Sequence, residues 1–198
     1  MPQSNTVTLE SHAAATLRHI RASMDAAGTV AVPGSAGIAM GTVGLIAALL
    51  AATDALHPYR LQVWLIAAAV ASGAAGILLA RQASLQGSTL LGAPARKFLL
   101  CLLPGLFAGA VMTAVHWSAG NLRAIPGTWL LSYGCALVST SALTGRIIGV
   151  LGGLFVALGL LAFWLPDVLQ NVALGGGFGE LHLLFGILIG RKAADGKT

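Results

Sequence analysis

The stretch GGGFGELHLLFGILIGRK, residues 175–192, sets a carboxylate, Glu180, and an imidazole, His182, inside a run of glycine, leucine, isoleucine and phenylalanine. The chain has only six acidic residues, and one of them stands here. Apolar runs near 20 residues with few charges are the signature of helices that cross a hydrocarbon layer about 30 Å thick. The whole chain agrees with that reading. Of its 198 residues 57% are hydrophobic and 9% charged, with 26 glycines, where soluble domains carry about a quarter charged residues.

Working outward from this stretch, six apolar segments can be drawn at about 35–54, 62–80, 98–117, 127–144, 147–165 and 170–190. Unpaired backbone groups are not tolerated in lipid, and the segments lack the period-2 alternation of barrel strands, so they are read as helices. The expected fold class is all-α: a polytopic transmembrane bundle of about six spans, preceded by an amphipathic interfacial helix. Three parts follow: a cytoplasmic segment 1–34, a six-helix domain 35–190, and a short basic tail 191–198. Segments four and five are separated only by the stretch around Thr144, Gly145 and Arg146, and five and six by Leu165 to Gln170. Each pair is expected to form an antiparallel hairpin.

Basic flanks are retained on the cytoplasmic side. With both termini inside, the inner segments hold Arg18, Arg21, Arg81, Arg96, Lys97, Arg146, Arg191, Lys192 and Lys197, and the outer loops hold only Arg60 and Arg123. The four tryptophans, Trp64, Trp117, Trp129 and Trp164, then fall at outer span ends with Tyr59 beside them, as in an interfacial aromatic belt. In the first 34 residues, Leu9, Ala13, Leu17, Ile20 and Met24 recur at helical spacing, with Arg18, His19 and Arg21 on other faces. This predicts a basic helix on the inner membrane surface, attracted to anionic lipid, or packed against the bundle or a partner.

Small residues at four-residue spacing, Gly37 with Gly41, Gly105 with Gly109 and Gly186 with Gly190, are candidates for close helix contact. The glycines of GGGFG at 175–179 would allow close approach or a local break in the last span. Cys101 and Cys135 are expected to be buried thiols, since neither has the spacing of a zinc or redox site. GRKAADG at 190–196 is not a phosphate-binding loop, because five residues separate its glycines where the motif has four. No nucleic-acid motif is present, so the partners expected are the bilayer and other membrane subunits.

Glu180 lies about ten residues from either end of its span, near mid-membrane, and midplane ionisable groups mark functional or interhelical sites. Two steps along a helix rotate about 200°, so Glu180 and His182 point to nearly opposite faces unless the glycines distort the helix. Tyr133 and Ser139 on span four stand at a matching depth and complete a candidate intramembrane polar site. A second polar group, Asp54, His57, His116 and Asp167, falls at the outer face, where it is read as interfacial and wetted by water. Imidazole with carboxylate could bind a transition metal, but no pair has the fixed spacing such sites use.

The stretches LRHIRASMDAAG before VPG, then GAPARKF, PGTWLLSYG and FGELHLLFGILIGRK, make the chain similar to a family of uncharacterised bacterial six-span integral membrane proteins. The resemblance implies a bacterial inner-membrane protein and carries no activity or site residue with it. Catalysis needs positioned acids, bases, nucleophiles or a cofactor, and here the candidates are few and scattered, so no enzyme and no cofactor is expected. The leading expectation is an accessory or scaffold subunit of a larger membrane assembly. One rival is a small proton-coupled transporter with Glu180 as its titrating group. The other is a b-type haem protein using two of His57, His116 and His182.

Overall fold

The computed structural model describes residues 15–17, 30–85 and 93–195. Ala15 to Leu17 are helical; the rest of the expected amphipathic helix lies outside the described residues. The remainder forms α1 (Gly34–Ala51), α2 (Arg60–Leu85), α3 (Ala93–Ser118), α4 (Ile125–Thr144), α5 (Arg146–Ala162), α6 (Asp167–Leu174), a π-helical stretch Gly175–Leu181, and α7 (His182–Asp195). The last three run without a break as one rod of 29 residues. No strand occurs among the described residues.

Four of these rods are long and apolar enough to cross a membrane: α1, α2 with its leading turn, α3 from Ala95, and the α6–α7 rod. The α5 helix is apolar but has 17 residues. Along the 20 residues of α4, hydroxyl side chains dilute the apolar character. Those hydroxyls turn back on their own helix: Thr128 donates to the Ala124 carbonyl, Ser139 to Cys135, Thr140 to Leu137 and Thr144 to Thr140. Each bond hides a polar group that lipid could not satisfy.

Local chemistry fixes the joints. Proline lies in the first turn of α4 and in the short 3-10 turn before α2, where a missing N–H costs nothing. Pro166, in extended conformation, caps α6. Between α4 and α5 only Gly145 intervenes, with φ of 98°, a conformation that side chains resist. The tight hairpin read from the sequence is therefore a one-residue joint.

Packing follows the small residues. A Cβ on Gly37 would stand 2.9 Å from the Gly186 Cα, one on Gly41 2.6 Å from the Leu183 nitrogen, and one on Gly186 2.6 Å from the Ile38 nitrogen. Helix α1 thus lies backbone to backbone along the last rod. Gly134 and Gly152 do the same between α4 and α5, each within 2.8 Å of the other's carbonyl oxygen by the same measure. Gly105 and Gly109 of α3 face Ser132 of α4. Dispersion and close approach, which hold helices together in lipid, are concentrated at these seams.

Phe155, Leu130 and Thr140 are the largest fully buried side chains and mark the core where α4, α5 and the last rod meet. The outside is apolar: Leu100, Leu103, Phe107, Val111 and Val115 are exposed along α3, and Ile66, Val70 and Ile77 along α2. A water-soluble surface does not carry patches of this extent. Two expectations are corrected. Cys135 is exposed, because α4 turns Gly134 and Ala136, and not Cys135, toward its neighbours, and Cys101 on α3 is half-buried. Trp64 is buried and Trp129 half-buried, each held by an indole N–H hydrogen bond, whereas Trp117, Trp164 and Tyr59 are exposed as belt residues are.

Candidate functional site

The last rod brings one polar group inward and one outward at its middle. Its glycines at 175, 176, 177 and 179 form a single wide π turn in which the repeat lengthens from four residues to five. Gly177 and His182, five apart, are both buried, whereas Glu180 between them is exposed. Such turns are cheap for glycine and recur at functional sites.

His182, 3% exposed, is enclosed by rings. Its centroid stands 5.4 Å from Tyr133, 5.2 Å from Phe155 edge-on, and 6.2 Å from Phe178 in a stacked arrangement. Both ring nitrogens are engaged. Nδ1 stands 3.3 Å from the Gly177 carbonyl oxygen, and Nε2 stands 2.9 Å from the Tyr133 hydroxyl. A carbonyl can only accept, so in the neutral ring Nδ1 carries the proton and Tyr133 donates to Nε2.

The four residues taken from the sequence as an intramembrane group do not converge. Tyr133 and His182 are bonded partners. Glu180 lies on the outer surface of the rod, and Ser139, exposed on α4, is bonded to its own helix.

At the other polar group, His57 and Asp167 line one pocket of about 320 Å³ at the end of the bundle where α2, α4 and α6 begin. Arg123, exposed beside it, pairs with Asp167 at 3.3 Å and donates to the Leu165 carbonyl at 3.1 Å. His116 is placed apart, 3.2 Å from the Thr128 hydroxyl, and Asp54 is exposed in the turn after α1. No cluster of three or more His, Cys, Asp or Glu among the described residues could hold a metal ion.

Sequence reasoning missed Gln170 and Asn171. Asn171 accepts from the Trp64 indole at 3.0 Å and donates to the Ala48 carbonyl at 2.9 Å, tying α2, α1 and α6 together. Gln170 lines the pocket, and its buried amide nitrogen has no hydrogen-bond partner among the described residues. An amide pair opening an apolar helix was the available signal. Compared with known proteins, the chain matches no family model, no curated protein and no solved structure.

Proposed function

We propose that the chain is a six-span integral protein of the bacterial inner membrane, with both termini cytoplasmic, and that it serves as a non-enzymatic accessory or scaffold subunit of a larger membrane assembly. The observation that carries this reading is Glu180. Its carboxylate is exposed halfway along the last rod, on a face completed by Val172, Gly176, Leu184 and Leu188. A charged side chain at the centre of a spanning helix costs about 2.5–3.5 kcal/mol on insertion scales. A neighbouring subunit whose helix brings an arginine, a lysine or a neutral donor to that depth offsets the cost. Nothing stands within 4 Å of where a Gly176 side chain would lie, which leaves room for close approach one turn away. The nine basic residues assigned to the inner segments, against two outside, support the orientation.

The test is extraction of the tagged chain from its native membrane in mild detergent, followed by the mass and composition of the particle. A co-eluting subunit in fixed ratio is expected. Glu180→Leu should release that subunit without changing the chain's own unfolding temperature, and Glu180→Gln, which keeps a hydrogen bond, should release it in part. A lone chain whose deletion alters no assembly would sink the proposal. Loss of proton or solute flux in Glu180→Gln, with the fold intact, would transfer the role to the transporter reading.

A further inference from the structure

The pocket at the Arg60 end is not used by the reading above. Three long helices begin around it, since Arg60, Ile125 and Asp167, the first residues of α2, α4 and α6, all line it. No side chain caps α4 or α6. These helix starts are gathered at one space, where the partial positive charge of helix N-termini favours an anion. Two guanidinium groups stand at its edge against one carboxylate, and the Asp167 charge is already met by Arg123. Arg60 makes no ion pair among the described residues.

The donors divide into committed and uncommitted. Trp64 gives its indole N–H to Asn171, Trp129 gives its own to Thr113 at 2.6 Å, and Asn171 is satisfied on both sides. Gln170, 4% exposed, is the exception, with an amide nitrogen that the described residues leave unpartnered. A buried donor without a partner carries its desolvation cost uncompensated. A native fold that retains one reserves it for a ligand or an ordered water. The indole bodies of Trp64 and Trp129 supply apolar walls, and the volume falls at the small end of ligand pockets.

We infer that this pocket binds a phosphate group, with Arg60 and the Gln170 amide as its donors and the tryptophans beside the carbon portion of the ligand. A phosphate suits the site because its several acceptor oxygens can meet a guanidinium fork and an amide together. The phosphate can belong to a phospholipid headgroup or to a small soluble ester.

The test uses the full chain purified in detergent, with three probes: phosphatidylglycerol in mixed micelles, glycerol 3-phosphate, and phosphate-free dioleoylglycerol. Thermal unfolding is read for all three, and phosphorus NMR line width for the two phosphate probes. A phosphate probe should raise the unfolding midpoint and broaden its own signal, and dioleoylglycerol should leave the midpoint unchanged. Arg60→Gln and Gln170→Leu should each weaken binding about tenfold, the loss of one charge-assisted or buried hydrogen bond. Response to glycerol 3-phosphate would assign a soluble ester, and response to phosphatidylglycerol alone a headgroup. Should Gln170→Leu fail to fold, Arg60→Gln decides. Absence of any response to both phosphate probes, or equal affinity in wild type and Arg60→Gln, overturns the inference.

Discussion

At the residue scale, the pairing of Tyr133 with His182 is the best-defined polar contact in the middle of the bundle. Tyr133→Phe removes the donor to Nε2 and leaves a buried nitrogen unmatched, so a loss of about 1 kcal/mol is expected, in keeping with side-chain hydrogen bonds in membrane proteins. His182→Leu strands the Tyr133 hydroxyl in the same way. Combining the two should cost less than the sum, because no polar atom is then orphaned, and a double-mutant cycle of unfolding in detergent measures the difference. Costs that simply add would show that the two rings are not coupled. The depth of both residues was legible from their position along apolar runs. Their pairing was not, because it depends on the five-residue step from Gly177 to His182, which a regular helical wheel does not contain.

At the element scale, the row of glycines on α1 does more than tolerate close packing. Gly186→Leu would drive a side chain into the α1 backbone at Gly37 and Ile38, and a loss of about 1–3 kcal/mol is expected. Gly153→Ala on α5, where nothing stands within 4 Å, should be neutral or slightly stabilising through helix propensity. Equal destabilisation by both would mean that the seam is not formed. The sequence marked Gly37, Gly41 and Gly186 as contact candidates through spacing alone, but spacing cannot name the partner helix. Helix ends were read to within a few residues where proline or glycine punctuates the chain. They were missed where the helix runs on, as α2 does past Arg81 to Leu85 and α3 from Ala93 before the apolar run begins.

At the scale of the whole molecule, α1, α2 and the last rod make one group and α3, α4 and α5 another, joined where the last rod meets α4 and α5. Gly34 and Gly190 adjoin at one end, and Arg60, Arg123 and Asp167 gather at the other. The topology proposed above predicts that a fluorescent protein fused after residue 198 folds and glows in the cytoplasm. It also predicts that a cysteine at Arg60 is labelled by an impermeant thiol reagent added outside the cell; labelling only after the membrane is opened would reverse the orientation. Composition alone made the membrane bundle legible, because lipid imposes length and hydropathy on every helix. The end pocket was not, since its parts come from three separate stretches of chain and its key amide looks unremarkable in sequence. Order of synthesis adds one more point. Among the long described helices α1 leaves the ribosome first, yet its glycine face is matched by the rod that leaves last. The bundle therefore closes from its two ends, and a ribosome stalled before residue 175 holds a first helix whose closest neighbour does not yet exist.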